Sequence, residues 1–386
     1  MCSSDLAARG LNYLPGEVVV KFNTGGAPAW SEDGRARAMA GIRNRTNGNV
    51  EWTGPSTAIV RDAAGADPSR LADTLMQLDG VAYAEPNYIY QVAPRAVRAR
   101  ALLKERDTLF DTLATTPNDP GFSARQWNLQ QLEMAKAWDI EPGGSSSVIV
   151  AVVDTGITTA AGTYTFANWN GSAIVNQGFA FAVNPDLAAS RLVTPYDFVN
   201  KSTTVLDLDG HGTHVSGTIG QDTNNSLGDA GMAYKVRIMP VKVCTGYWDV
   251  QFARSKLGIP GQAPLTSGGC SNSDIAAGIR YAADNGATVI NISLGGDSPS
   301  ATILDAIRYA VGKGAFVAAA AGNEYEDGNP VEYPAGDAPG LDGLMSVAAV
   351  GRSNNRAFYS NTGSYVEIAD RKSTRLNSSH GYISYA

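Results

Sequence analysis

The sequence predicts an α/β protein, a central parallel sheet between helical layers, preceded by a small α+β unit. Three observations carry this. Ser147-Val-Ile-Val-Ala-Val-Val153 is an unbroken apolar run, the mark of a strand buried on both faces of a parallel sheet. From there onward apolar strands alternate with helix-length segments, a pattern that demands right-handed crossovers. Upstream, residues 15–92 hold a helix between short strands, too little chain for the same architecture and enough for a separate sandwich.

In order, Gly16–Phe22 and Thr57–Arg61 read as strands. Asp67 then caps a helix with Pro68 at its first position, and Leu71, Leu75 and Leu78 recur at helical spacing before Gly80 ends it. Val81–Tyr90 is strand-like again. Residues 93–117 carry Arg95, Arg98, Arg100, Lys104 and Arg106 without an apolar period, which reads as a linker. In the larger unit, residues 118–370, further strands are expected at Val236–Val243, Ala287–Ser293, Ala315–Ala321 and Leu344–Val350. Helices are expected at Asn272–Asn285 and Pro299–Lys313, each closed by a glycine, Gly286 and Gly314.

Composition excludes several classes. The 386 residues are 44% apolar, yet no apolar run approaches a membrane span. A net charge of −7 leaves no broad basic face for nucleic acid. Three cysteines are too few for a disulfide scaffold. Cys244 and Cys270 bracket one loop, and a disulfide and two buried thiols both fit that placement.

The stretch Asp209-Gly-His-Gly-Thr-His-Val-Ser-Gly-Thr-Ile-Gly220 holds two of the three histidines. It reads as a helix with an all-small face, Gly212, Ser216 and Gly220. Glycine in a helix costs roughly 1 kcal/mol against alanine, so Gly212, Gly217 and Gly220 point to a helix pressed against neighbouring backbone. A histidine in its first turn is placed to act as a base. His211 and His214 mimic a metal pair, but no H-E-x-x-H motif and no third ligand accompany them, so no metal site is assigned. Asp154 ends the first apolar strand, where a lone carboxylate is costly without a partner. Asn323 follows the Ala315–Ala321 strand in Ala-Gly-Asn-Glu.

The histidine stretch resembles the H-G-T-H-V-x-G-T motif of the subtilisin-like serine proteases (subtilases). Val-Val-Asp154-Thr-Gly and Ala-Gly-Asn323 stand in that family's order, so the larger unit resembles its parallel-sheet three-layer sandwich. The resemblance implies a serine-type endopeptidase with His211 as base, Asp154 fixing its tautomer, and Asn323 donating to a developing oxyanion. It also implies that Ser293-Leu294-Gly295 and Ala320 with Gly322 bind peptide as an added strand, suiting broad side-chain preference. No cofactor is expected beyond calcium as a structural ion, with no ligand set assigned; Asp207 and Asp209 read as solvated loop acids. Residues 15–92, with Ala-Glu-Pro-Asn-Tyr88, resemble the ferredoxin-like subtilase propeptide domain. Cleavage of a zymogen within residues 93–125 follows. The expected partners are protein or peptide substrates and the chain's own propeptide, without nucleic acid or membrane, for a secreted monomer.

One part of the pattern is missing. Subtilases carry the nucleophile in Gly-Thr-Ser-Met-Ala, and no Gly-Thr-Ser occurs in the 386 residues. The text after Asp370 is polar and aperiodic, and its Ser378-Ser379-His380 cluster makes no substitute nucleophile. Residues 1–14 and 371–386 are expected to be foreign to the two folded units, making the catalytic unit incomplete at its C-terminal end. The chain as written is expected not to turn over. The alternative expectation is a natural pseudoprotease that binds peptides without cutting them.

Overall fold

The computed structural model describes residues 12–24, 31–62, 64–92, 116–264 and 268–370. The expected tail 371–386, with its Ser-Ser-His cluster, and nearly all of linker 93–117 lie outside them.

The N-terminal unit runs β1 (Tyr13–Phe22), α1 (Glu32–Arg45), β2 (Gly48–Trp52), β3 (Thr57–Asp62), α2 (Pro68–Met76) and β4 (Val81–Val92). Its strands pair antiparallel in the order β4-β1-β3-β2, the split β-α-β ferredoxin-like arrangement. Asp67 caps α2 through Arg70 N–H at 3.1 Å, with Pro68 next to it. Val18, Val20 and Phe22 from β1 meet Leu71, Ala72, Leu75 and Ile42 in one core. Strand β1 starts earlier than the sequence suggests. Tyr13 pairs with Tyr88, and Asn12 O accepts from Ile89 N–H at 2.8 Å. Residues 12–14, expected in a foreign start, therefore belong to the sheet, because β4 is long enough to pair them.

The larger unit opens with α3 (Pro120–Arg125), α4 (Trp127–Gln131) and α5 (Met134–Ile140), then β5 (Ile149–Asp154). There follow a hairpin of β6 (Gly162–Trp169) and β7 (Ile174–Phe181), then β8 (Tyr196–Asp197), α6 (His211–Gly220) and β9 (Arg237–Lys242). Next come β10 (Cys244–Thr245), α7 (Tyr247–Lys256), β11 (Gly269–Ser271), α8 (Asn272–Asp284), β12 (Val289–Ile292) and β13 (Leu294–Gly295). The described chain closes with α9 (Ala301–Gly312), β14 (Phe316–Ala320), β15 (Leu344–Ala349) and β16 (Ile368–Asp370).

Seven strands form the central sheet in the order β16-β15-β14-β12-β5-β9-β8, and every pairing is parallel. All six residues of β5 are buried, as the unbroken apolar run requires. Helices α8 and α9 cover one face through Ile275, Ile279, Ile303 and Ile307. On the other face Val150, Val152 and Ile238 form a core with Val215 and Ile219 of α6 packed against it. At Gly212 an added Cβ would lie 2.3 Å from Gly156 O, so the small face of α6 does rest on backbone.

The two units share a long seam. Glu85 of β4 accepts from Ala301 N–H (2.9 Å), Thr302 N–H (3.0 Å) and Ser300 Oγ (2.7 Å) at the start of α9. Those N–H groups have no partner inside the helix, and a carboxylate there also meets the positive end of the helix dipole. Asn87 Oδ1 likewise accepts from Ser273 N–H in the first turn of α8.

Candidate active site

Strand direction decides where the chemistry gathers. In a parallel sheet every C-terminal strand end lies on one edge, and ligands sit beyond it. Asp154 ends β5, Ser293 follows β12, and Gly322-Asn323 follow β14. Because β12 lies between β5 and β14, the Asp154 and Asn323 turns stand two strand spacings apart, roughly 10 Å.

Helix α6 starts beside the end of β5. His211 Nδ1 lies 2.7 Å from Asp154 Oδ1, with His211 7% and Asp154 0% exposed. A carboxylate can only accept, so Nδ1 carries the proton and Nε2 is left as the basic nitrogen. Asp154 Oδ1 also accepts from Thr155 N–H at 2.7 Å. Thr155 Oγ1 in turn accepts from Gly212 N–H (2.8 Å) and donates to Asp207 (3.0 Å). Asp207, expected to be a solvated loop acid, instead takes five donors. It accepts from Thr155 Oγ1, from Asp209 and Gly210 N–H, and from the N–H and hydroxyl of Thr213. The unsatisfied N–H groups at the start of α6 are the reason.

Beneath this turn lies a residue the sequence reading passed over. Lys242, 0% exposed, donates to Thr155 O (3.0 Å) and to Asp249 Oδ2 (3.1 Å). Burial by itself would push its ammonium down; Asp249, Asp207 and Asp197 together hold it up and charged. A lysine inside the apolar run Pro240-Val-Lys-Val243 was the available signal.

Asn323 sits on a turn pinned from below. Gly322 O accepts from Asn361 N–H (3.1 Å), Asn361 Oδ1 accepts from Glu324 N–H (2.7 Å), and Tyr365 OH donates to Ala321 O (3.0 Å). Gly322 has φ +109°, which glycine adopts freely.

The end of β4 lies between two edges of the larger unit. Leu294 and Gly295 of β13 pair antiparallel with Val92 and Gln91. On the other side Cys270 and Ser271 of β11 pair with Tyr90 and Ile89. Of the expected peptide-binding residues, Leu294 and Gly295 thus meet an extended strand, and Ser293 adjoins them. Ala320 pairs inside the sheet with Val347, and Gly322 lies against Asn361, Glu332 and Glu324 and pairs with no strand among the described residues. The second edge is β11, which sequence reading missed; the Gly268-Gly269 doublet before Cys270 was its only signal. Cys244 and Cys270 are joined in a disulfide, opposite each other in the β10–β11 pair. Among the described residues no group of three or more His, Cys, Asp or Glu side chains is gathered for a metal ion.

The chain is similar to known proteins. The model of the subtilase family matches residues 145–375, and that of the fervidolysin N-terminal prodomain matches residues 6–87. The chain is 30% identical over 381 residues to a thermophilic serine proteinase of Bacillus sp. (strain AK1), covering 96% of this chain and 74% of that protein. It is 34% identical over 255 residues to thermitase of Thermoactinomyces vulgaris, covering 66% of this chain and 72% of that protein. The structure of fervidolysin from Fervidobacterium pennivorans superposes with a TM-score of 0.61 at 23% identity, over 93% of this chain and 47% of that one. The same fold, the same order of units and the two family matches lead to one statement: the chain belongs to the subtilase family and carries a prodomain ahead of its subtilase domain.

Proposed function

We propose that this chain carries the machinery of a secreted serine-type endopeptidase made as a zymogen. The observation that carries the reading is the buried 2.7 Å contact between Asp154 and His211 at the C-terminal edge of the sheet. In this reading Asp154 holds His211 with Nε2 toward substrate and stabilises the imidazolium formed when it takes a proton. Asn323 offers its amide to the developing oxyanion; such a donor is worth about 3–4 kcal/mol. Ser293, Leu294 and Gly295 take the substrate as a strand, with Gly322 and, behind it, Ala320 supporting the opposite wall. The placement of β4 between β13 and β11 supports a prodomain that occupies the cleft until it is cut within residues 93–125. The Cys244–Cys270 disulfide supports an oxidising compartment.

Proton transfer alone does not cleave a peptide, and a polypeptide of this sequence offers no Gly-Thr-Ser hydroxyl to His211. It is therefore expected to hold peptides and not turn them over; the second reading is a peptide-binding pseudoprotease, and the intact Asp154, His211 and Asn323 favour the first. Two measurements test this account, and the second separates the readings. A fluorophosphonate probe should leave the 386-residue chain unlabelled, and a labelled serine would contradict this account. Reading the gene through the Asp370 codon on an independent template then decides. A frame continuing into Gly-Thr-Ser makes the active protease correct; a stop after Ala386 makes the pseudoprotease correct.

A further inference from the structure

One buried carboxylate at this edge has no part in the chemistry above. Tyr333 bridges Gly296 in antiparallel fashion, N–H to O at 2.8 Å one way and 3.1 Å the other, which brings Glu332 alongside β13. A Cβ at Gly295 would lie 2.6 Å from Glu332 Oε2, and one at Gly322 would lie 2.5 Å from its Cγ. The side chain thus runs between the two cleft segments, and glycine at both positions makes the room. Glu332 is 7% exposed, and among the described residues nothing donates a hydrogen bond to its carboxylate. The charges acting on it, Glu324 and Asp297, are both negative; burial first, then these two, push its pKa up to about 7. A buried acid without donor or cation lacks what such groups ordinarily require.

Strand geometry says which part of a peptide would supply the cation. Side chains directly opposite across a strand pair lie on the same face. The face of β13 on which Gly295 meets Glu332 is therefore shared by peptide residues opposite Gly295 and, two positions on, opposite Ser293. Ser293 leaves β12, whose end lies between the Asp154 and Asn323 turns. The peptide residue opposite it is the one beside the His211 chemistry.

We infer that Glu332 is a specificity-determining residue. Its carboxylate forms the floor of the slot between Gly295 and Gly322 and receives the lysine or arginine side chain of the substrate residue on the acyl side of the scissile bond. This rests on the endopeptidase reading and replaces its broad preference with a basic one. The expected cleavage region, residues 93–125, carries Arg95, Arg98, Arg100, Lys104 and Arg106, which such a site would accept.

The test is a fluorescence titration of the full chain with p-aminobenzamidine, a planar analogue of the arginine side chain, against neutral p-aminobenzamide. The amidine should bind and the amide should bind far more weakly. Glu332→Gln should weaken the amidine roughly tenfold or more, since a charge-assisted bidentate contact is lost. Glu332→Asp should retain most of the affinity, and thermal melts of both variants confirm that they are folded. Affinity should rise as pH passes through about 7, where Glu332 ionises. Equal binding of amide and amidine, no amidine binding to the native chain, or an unchanged isotherm for Glu332→Gln each overturns the inference. The amidine requires no nucleophile, so this outcome is independent of the probe and gene-reading tests of the endopeptidase reading.

Discussion

The Asp154 turn and the Gly322–Asn323 turn leave the same sheet edge on either side of β12, and they treat buried charge in opposite ways. Around Asp154 every buried charge meets a partner. His211 faces the carboxylate, Thr155 donates to it, and Lys242 stands beneath against Asp249. Beside Asn323, Glu324 and Asp297 both act on the buried Glu332, and among the described residues no cation does. The first turn finds its charge partners within the chain, with Asp154 Oδ2 the one oxygen of that carboxylate that accepts no hydrogen bond among the described residues. The second has no such partner among the described residues.

Breaking the compensated side should have the largest effect. Lys242→Met removes the cation and leaves the buried Asp249 carboxylate with only the Gly246 N–H against burial. Unpairing a buried ion pair costs about 3–5 kcal/mol, which urea unfolding would read directly. A midpoint close to that of the native chain would mean that Asp249 is held neutral and the turn does not depend on the pair.

A smaller effect is expected from Gly212→Ala. The new Cβ meets Gly156 O at 2.3 Å, backbone against backbone on the turn that follows Asp154. Overpacking of this kind costs about 1–3 kcal/mol, and the downfield proton resonance of His211 should shift as α6 is pushed off β5. An unshifted resonance with an unchanged melt would show that α6 has slack.

The smallest effect sharpens the uncompensated side. Burial first, then the charges of Glu324 and Asp297, raise the Glu332 pKa from its ordinary 4.5 to about 7. Between those values the folded chain holds the proton and the unfolded chain releases it, so the Glu332 contribution to stability falls as pH rises from about 4.5 to about 7. Glu332→Gln should flatten that part of the stability profile and make the variant relatively more stable above it. Parallel profiles for the two proteins would mean that the carboxylate is already compensated.

How much of this the sequence carried depends on whether an element announces itself locally. Strand β5 did, because a strand buried on both faces has to be apolar throughout. Helix α2 did, through its Asp67 cap, Pro68 and leucine spacing. Helix α1 did not. It buries only Gly34 and Ile42, so no apolar stripe marks Glu32–Arg45, and it is held by its Ser31 cap and by packing. The β6–β7 hairpin and α7 went unread for a similar reason. Their aromatic residues pack on one another, with Phe166 stacked on Phe252 at 4.2 Å, and the two-residue spacing of Tyr164 and Phe166 and of Phe179 and Phe181 is too short a pattern to mark the strands by itself.

By itself the sequence determined the parallel-sheet class, the small leading α+β unit, and the subtilase motifs around Asp154, His211 and Asn323, since each rests on local spacing or on a short contiguous pattern. Tertiary structure alone decided the rest. It placed Asp154 against His211 across 57 residues of chain. It closed the Cys244–Cys270 disulfide. It made β11 the second edge around β4, put Lys242 under the Asp154 turn, and laid Glu332 between Gly295 and Gly322. The physical reason is common to all five. A charge or a strand edge is given its partner by the crossing of distant strands, and composition along the chain does not encode which strand ends will lie side by side.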